Sequence, residues 1–241
     1  MDRLTRTEML LGQQAMERLK SAHVAVFGLG GVGSWCAEAL VRTGVGNLTL
    51  VDDDFVSVTN LNRQVQATES SIGQPKAISM MLRLRDIAPE GTYTPKCFRY
   101  NAETREDFFN HEIRYDYVAD AIDLVSCKLD LIETCTRSNV PIVSALGTGN
   151  KLDASAFCIT DISKTSGCPL ARVVRKELRA RGIEHLKVVY SPEAAAETAP
   201  SPEPPPPGRR AVPASASWVP PVAGFLLAQA IILDLAAPEQ K

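Results

Sequence analysis

The stretch from His23 to Asp52, HVAVFGLGGVGSWCAEALVRTGVGNLTLVD, decides the fold class of this chain. It begins with a β-branched run, His23 to Phe27, passes through the glycine-rich turn GLGGVGS and continues with a helical pattern that ends at Gly44. A second apolar strand follows, from Leu48 to Asp52. Strand, glycine turn, helix and strand in this order predict a β-α-β unit with two parallel strands.

Helical and extended patterns continue on both sides of this unit. Residues 4 to 20 carry helical apolar spacing that Gly12 interrupts, which predicts two short helices. Downstream we expect a helix over Lys76 to Ile87, a strand over Tyr93 to Phe98, a strand ending near Asp120, a helix over Val125 to Ser138 and a strand in VPIVSAL. This alternation predicts an α/β fold with a Rossmann-like, mostly parallel sheet and flanking helices.

The pattern changes after residue 155. AFCITDI and LKVVYS read as strands on either side of a helix over Pro169 to Arg181, a small C-terminal α+β extension. We therefore expect a first domain with the N-terminal helices over 1–155 and an extension over 156–241 that completes the same fold. Ten of the 16 prolines fall between Pro192 and Pro221, so residues 191–217 should form a mobile loop.

Composition excludes several classes of protein. With 26 Lys and Arg against 28 Asp and Glu, the chain is not a generally basic nucleic-acid binder, although a local basic face is compatible with that total. The six cysteines form no C-x-x-C pair, so no zinc is expected. The first residues lack the pattern of a secretory signal, which favours a cytoplasmic location. Residues 222–237 should be a buried helix, with membrane association as the alternative.

The glycine turn points to a phosphate. Gly28, Gly30 and Gly33 match G-x-G-x-x-G between a strand and a helix, where backbone N–H groups can face an anion. Asp52 ends the next strand about 20 residues on, in position to bind ribose hydroxyls. Alone, this motif is typical of a dinucleotide enzyme, and its structural alternative is a tight turn whose glycines serve packing. Nothing downstream resembles a hydride-transfer site.

The three acids that begin at Asp52, in VDDDF, make a different nucleotide more plausible. Three successive carboxylates beside a phosphate site repel a polyphosphate unless cations intervene. Arg63 and Lys76 could supply fixed cations, and Asn60 a neutral donor. The alternative is that the two bases are solvated surface charges. Together with the glycine turn, this set favours a triphosphate.

These residues carry a family resemblance. GLGGVGS, LTLVDDDFVSVTNLNRQ, GQPKA and DAID resemble the signature segments of the ubiquitin-activating-enzyme superfamily, whose small bacterial members adenylate a carboxylate with ATP. SALGTGNKLDAS, DISKTSGCPLARVVRKELRARGI, LKVVYSPE and SWVPPVAGFLLAQAIILDL are similar to one branch, the tRNA threonylcarbamoyladenosine dehydratases. Branches that activate sulfur-carrier proteins usually bear paired C-x-x-C zinc ligands, which this sequence lacks.

The resemblance implies that residues 1–155 are an ATP-binding adenylating domain, and it implies roles for individual residues. It assigns ATP contacts to Gly28, Gly30, Gly31, Gly33, Asp52, Asp54, Asn60, Arg63 and Lys76. Asp52 would hold the ribose, and Arg63 and Lys76 the phosphates, as catalytic cations. Asp123, in DAID, would be a catalytic carboxylate linked to Mg²⁺; its alternative is the N-cap of the following helix. Arg6 would reach the ATP of the other subunit in a homodimer, where a surface charge is the alternative.

The implied reaction is ATP-dependent dehydration of threonylcarbamoyladenosine in tRNA, through an acyl adenylate and ring closure. The resemblance further suggests a monovalent cation and sulfur-relay proteins as partners. One competing function is adenylation of the C-terminal glycine of a small ubiquitin-like sulfur carrier, which shares every ATP residue. The sequence also leaves open a module that binds nucleotide without turnover and an NAD-linked dehydrogenase.

A tRNA substrate needs basic surface, and one predicted helix offers it. Arg172, Arg175, Lys176, Arg179 and Arg181 recur at helical spacing, opposite an apolar stripe of Leu170, Val173, Val174 and Leu178. The first four of these bases are the predicted tRNA contacts; a merely solvated helix face is the alternative. Cys168, Cys127 and Cys135 are expected to be small core residues rather than nucleophiles.

Overall fold

The computed structural model describes residues 2–201 and 212–238, which form seven strands and seven α-helices. The strands are β1 His23–Phe27, β2 Asn47–Val51, β3 Thr92–Lys96, β4 Tyr117–Asp120, β5 Ile142–Ala145, β6 Cys158–Asp161 and β7 Lys187–Tyr190. The helices are α1 Thr5–Leu11, α2 Gln13–Ser21, α3 Gly33–Thr43, α4 Lys76–Ile87, α5 Val125–Arg137, α6 Pro169–Ala180 and α7 Val219–Ala236.

All seven strands belong to one sheet, in the order β3-β2-β1-β4-β5-β7-β6. Every pairing between neighbours is parallel except that of β6 with β7. This confirms the predicted α/β class with a mostly parallel sheet. Because β6 and β7 extend that same sheet, the C-terminal residues complete one fold, whereas the division of the chain at residue 155 stays a prediction.

Alternate side chains of the central strands lie in two apolar cores, one on each side of the sheet. Val24 and Val26 of β1 pack with α2, α3, α4 and α7, and Ala25 and Phe27 pack on the side that α5 covers. A further cluster joins α5, α6 and β7. Such burial on both sides explains why β1 is a continuous apolar run rather than an alternating one. The molecule therefore has three layers.

The first turn of α3 depends on glycine. Gly28 has φ of +87°, which L-residues with side chains rarely adopt. A Cβ atom at Gly33 would lie 1.7 Å from the carbonyl oxygen of Gly28, so only glycine allows this contact. At the other end of α3, Gly44 adopts φ of +106° and ends the helix, as the sequence predicts. The glycine turn is thus fixed by packing of backbone against backbone.

The proline-rich stretch lies partly outside the described residues, since residues 202–211 are among those not described. Its described flanks, 191–201 and 212–217, contain no helix or strand. Both flanks are fastened to Asn150. The Ala196 N–H donates to the Asn150 carbonyl (2.8 Å), and the Ala214 N–H donates to Asn150 Oδ1 (2.7 Å). They therefore border the loop that follows β5.

The long apolar helix α7 packs in the core on the same side of the sheet as α3, as the sequence predicts for residues 222–237. Its residues Val219, Leu227 and Ile231 are fully buried. Within the part of the chain described, α7 is the one helix whose length and composition would also allow it to cross a membrane, and 56% of it is buried in the molecule.

Candidate active site

The sheet order places a crevice between the ends of β1 and β4. The chain proceeds from β1 outward through β2 and β3, then returns to β4 on the other side of β1. At such a switch point the loops after the two strands diverge, and ligands of open α/β sheets bind there. The loops concerned are the glycine turn at residues 28–32 and the short connection at residues 121–124. The predicted nucleotide residues follow β1, β2 and β4.

Asp52, just after β2, is held against the glycine turn. The Leu29 N–H donates to Asp52 Oδ2 (2.6 Å), and the Asp54 N–H donates to Oδ1 (2.9 Å). Burial raises the pKa of Asp52, and the nearby Lys76 ammonium and these two N–H groups oppose that rise. A carboxylate offers about four lone-pair sites. After two backbone hydrogen bonds it can still accept from ribose hydroxyls, as the resemblance implies.

Fixed cations neutralise the three consecutive acids. Lys76 Nζ lies 2.7 Å from Asp54 Oδ2 and 3.9 Å from Asp52 Oδ1, and the Arg99 guanidinium binds Asp53 at 2.8 Å. The side chain of Lys76 is only 7% exposed, so it is not a solvated surface charge. Sequence reasoning missed Arg99, although the pairing of β2 with β3 brings the residues after both strands together.

The three acids also bear on metal binding. Oxygen atoms of Asp52, Asp53 and Asp54 lie within 4.8 Å of one another, a donor set that suits a hard divalent cation. Each of these carboxylates, however, already accepts from a backbone N–H or a cationic side chain. The arrangement of the three carboxylates therefore suits the side chains of Lys76 and Arg99 better than it suits a metal ion.

Arg63 lies beside the glycine turn, but its guanidinium does not pair with the three acids. Nη1 donates to the Thr59 carbonyl (2.9 Å) and to Asn62 Oδ1 (2.8 Å), which corrects the expectation that Arg63 balances those carboxylates. The side-chain stem of Arg63 touches Gly31: a Cβ atom on that glycine would lie 3.2 Å from Arg63 Cγ. Burial lowers the pKa of Arg63, whose charge persists because the ordinary value is far above neutrality.

Asn60 is buried and closes a tight turn. Its Oδ1 accepts the Ser57 N–H (3.2 Å), and the Ser57 side chain bonds in return to the backbone of Asn60. The expected donor to a phosphate thus also has a structural task, since it orders the segment that leads to Arg63. The same turn positions the backbone carbonyl of Arg63, which accepts a hydrogen bond from the indole N–H of Trp35 (2.9 Å).

Asp123 lies in the connection between β4 and α5. The N-cap of α5 is Leu124, so the interpretation in which Asp123 caps the helix is wrong. Ala121, two residues earlier, touches the glycine turn: a Cβ atom at Gly28 would lie 2.7 Å from its carbonyl oxygen. The fold therefore brings the DAID turn to the edge of the crevice that also holds Asp52 and Lys76.

Arg6 lies elsewhere in its own chain. It lines an apolar groove of about 440 Å³ between α1, α3 and α7, together with Ala39 and Thr43. These two residues come 6 and 10 positions after Gly33, which corresponds to roughly 9 to 15 Å along α3. Arg6 is thus at the opposite end of α3 from the glycine turn. The structure does not bring it together with the other predicted ATP residues of the same chain.

The basic helix α6 exposes only part of its predicted face. Arg172, Lys176 and Arg179 are exposed. Arg175 is tied down, since its guanidinium donates to the Thr165 carbonyl (2.8 Å). Arg181 pairs with Glu133 and Glu177.

The apolar stripe of α6 also needs correction. Val174 and Leu178 are buried as expected, whereas Val173 is 45% exposed. Ala171, which the predicted stripe does not include, is buried in the core. Helical spacing alone could not decide between neighbouring small apolar residues.

The cysteines singled out in the sequence are core residues. Cys127, Cys135 and Cys168 are at most 6% exposed, which confirms that the first two face the core. Burial raises the pKa of Cys135, so its thiol is a poor nucleophile. The Cys168 sulfur accepts the Ala171 N–H (3.5 Å) at the start of α6. This structural contact supports the non-catalytic interpretation.

Known proteins are similar to this chain in sequence and in structure over most of its length. A tRNA threonylcarbamoyladenosine dehydratase of Bacillus subtilis is 40% identical over 239 residues, covering 96% of this chain and 93% of the relative. One from Escherichia coli is 41% identical over 174 residues, covering 72% of this chain and 64% of the relative. The crystal structure of the E. coli enzyme TcdA superposes with a TM-score of 0.86, at 34% identity, over 97% of this chain and 93% of that one.

The same E. coli enzyme has also been solved in complex with ATP and with AMP, and these structures superpose on the chain with a TM-score of 0.85. The sequence model of the ThiF family matches residues 3–233, almost the whole chain. The match includes the glycine turn, the acids after β2, the DAID turn and the core helix α7. This chain therefore belongs to the ThiF family.

Proposed function

We propose that this protein is an ATP-dependent tRNA-modifying enzyme that dehydrates threonylcarbamoyladenosine to its cyclic form. The observation that carries the proposal is the similarity to dehydratases over 96% of the chain, with 40% identity. It extends beyond the ATP residues into the C-terminal part of the chain. The ATP and AMP complexes of the similar E. coli enzyme support the nucleotide assignment.

The reaction has two steps. A carboxylate oxygen of the threonyl group attacks the α-phosphorus of ATP, pyrophosphate leaves, and an acyl adenylate forms. The neighbouring carbamoyl group then attacks the activated carbonyl carbon, loses a proton and expels AMP. The oxygen formally lost as water thus leaves on AMP. Because the second attack is intramolecular, proximity replaces a covalent enzyme nucleophile.

The residues of the crevice match these demands. Backbone N–H groups of the glycine turn and the N-terminus of α3 attract phosphate. Lys76 and Arg63 supply positive charge where negative charge accumulates on the phosphate oxygens in the first step. Asp52 accepts ribose hydroxyls. Mg²⁺, held through Asp123, would neutralise phosphate charge when bound.

Adenylation of a sulfur carrier is the second candidate, and it has less support. It uses the same ATP residues, so the crevice does not distinguish the two acceptors. The Bacillus subtilis relative that is 40% identical over 96% of this chain and the E. coli structure that is 34% identical over 97% of it are both tRNA dehydratases. The sequence also lacks the paired C-x-x-C motifs expected of the carrier-activating branches. Sulfur-relay partners and a monovalent cation stay predictions.

We further propose a cytoplasmic homodimer in which Arg6 serves the ATP of the partner subunit. The position of Arg6 at the far end of α3 supports this, because the side chain cannot span that distance within its own chain. Met9 and Leu10 on the same helix are each 83% exposed, and the adjoining groove is apolar. A second copy covering this surface would bury those side chains.

The direct test supplies the enzyme with ATP, Mg²⁺ and tRNA that carries threonylcarbamoyladenosine. We expect one AMP and one pyrophosphate for each cyclised nucleoside, measured by chromatography and mass spectrometry. The same tRNA without the threonylcarbamoyl group and a sulfur-carrier protein are the matched controls. AMP release with the carrier alone would favour the second candidate, and none with any acceptor would favour a nucleotide-binding module.

Subunit mixing tests the contribution of Arg6. Arg6→Ala and Asp123→Asn should each be nearly inactive as homodimers, because every site lacks one group. After random re-association, half of the dimers are mixed, and each has one complete site of two, so about a quarter of wild-type activity should return. Mixtures that stay inactive despite proven exchange of subunits would contradict sharing of the site.

Charge reversal on α6 tests the tRNA surface. Arg172→Glu with Arg179→Glu should weaken tRNA binding about tenfold or more and flatten its dependence on salt, since fewer counterions are released. The matched control is Lys20→Glu with Arg85→Glu, the same charge change at exposed residues of α2 and α4, across the sheet from α6. Equal affinities of the two double variants would rule out this face.

A further inference from the structure

A fully buried ion pair lies between the sheet and α5, next to the turn that carries Asp123. Asp120 is the last residue of β4, and Lys128 is in the first turn of α5. Their side chains are 0% exposed, and Lys128 Nζ lies 2.7 Å from Asp120 Oδ2. Neither residue contributes to the ATP contacts proposed above. The proposed ATP contacts therefore do not explain why two charges are buried at the edge of the crevice.

The ammonium group of Lys128 uses all three of its hydrogens. It donates to Asp120 Oδ2, to Ser144 Oγ (3.1 Å) and to the Ala145 carbonyl (3.0 Å), the last two at the end of β5. The Ser144 hydroxyl donates to the same Asp120 oxygen at 2.6 Å. A lysine with every donor engaged and no exposed surface is a poor acid or base for a substrate. Its role here is to hold the neighbouring groups in position.

The network encloses the turn that presents Asp123. Asp120 stands three residues before Asp123 and Lys128 five residues after it, so their contact joins the two ends of the turn. Asp120 Oδ1 also accepts the Ile122 N–H (3.0 Å), which fixes the first step of the turn. The Lys128 N–H donates to the Leu124 carbonyl (3.0 Å), which fixes the last step.

Stability alone gives little reason for such a pair. Replacing a buried ion pair with neutral groups of similar volume is often neutral or stabilising, whereas removing one partner is costly. Neutral groups of similar volume would not make the directed hydrogen bonds that Asp120 and Lys128 make. Those bonds set the position of Ala121, whose carbonyl touches Gly28, and whose N–H donates to the Phe27 carbonyl (2.8 Å).

We infer that Lys128, Asp120 and Ser144 are positioning residues that hold the 121–124 turn, and with it the Asp123 carboxylate, against the nucleotide loop. The inference rests on the proposed function for its effect on rate. Lys76 and Asp52 lie on the other side of the switch point and do not touch the network. Loosening the turn should therefore reduce kcat more than it changes the KM for ATP.

The test compares two double variants that each replace an ion pair with neutral groups. Asp120→Asn with Lys128→Met removes the ion pair and the three hydrogen bonds of the Lys128 ammonium without leaving an unpaired charge. Glu38→Gln with Arg83→Met removes the pair between α3 and α4, in which Glu38 is buried and Arg83 half-buried and whose atoms lie 2.5 Å apart, and serves as the control. Ser144→Ala, which keeps both charges, provides a milder variant that should fold even if the first does not.

We expect kcat for AMP release to fall about tenfold or more in the double variant and by a smaller factor in Ser144→Ala, with the KM for ATP changing by less than about threefold in both. Hydrogen exchange should quicken over residues 121–124 but not elsewhere. The control pair should keep the wild-type kcat. Wild-type kcat and wild-type exchange in the network variants that fold would overturn the inference. If the wild type itself releases no AMP, the proposed function fails, and hydrogen exchange still decides whether the network holds the turn.

Discussion

The backbone of the glycine turn passes so close to its neighbours that side chains cannot fit between them. A Cβ atom at Gly33 would overlap the Gly28 carbonyl at 1.7 Å, and one at Gly28 would meet the Ala121 carbonyl at 2.7 Å. The loops after β1 and β4 therefore pack as one unit. Asp52 joins that unit through the Leu29 N–H. The placement of Asp123 beside the nucleotide loop consequently depends on this contact.

Local electrostatics explain how an acidic segment can adjoin a phosphate site in a chain of net charge −2. Lys76 and Arg99 each bind one of the acids after β2, so the bound ATP does not face three bare carboxylates. On the far side of the sheet, Arg172, Lys176 and Arg179 leave a compact basic face exposed on α6. A balanced total charge thus accommodates two surfaces suited to different anionic ligands.

The elements of the fold follow from local patterns, and the sequence predicts most of them. The apolar runs of β1 and β2, the glycine turn and the end of α3 at Gly44 are each determined within a few residues. The side-chain pairings of the site are determined by sheet order, which local patterns do not contain. Arg99 meets Asp53, and Ser144 meets Asp120, only because particular strands lie side by side. Val173 is exposed against expectation because helical spacing alone cannot choose which of two adjacent apolar residues faces the core.

In the proposed reaction the threonyl carboxylate of the modified tRNA is activated as an acyl adenylate. Transfer of oxygen isotope tests it directly: tRNA whose threonylcarbamoyl carboxylate carries ¹⁸O is turned over by the enzyme with unlabelled ATP in unlabelled water. If the acyl adenylate forms, the phosphate of AMP acquires one labelled oxygen and pyrophosphate acquires none. Unlabelled AMP, or label in pyrophosphate or a phosphate released in its place, would contradict it.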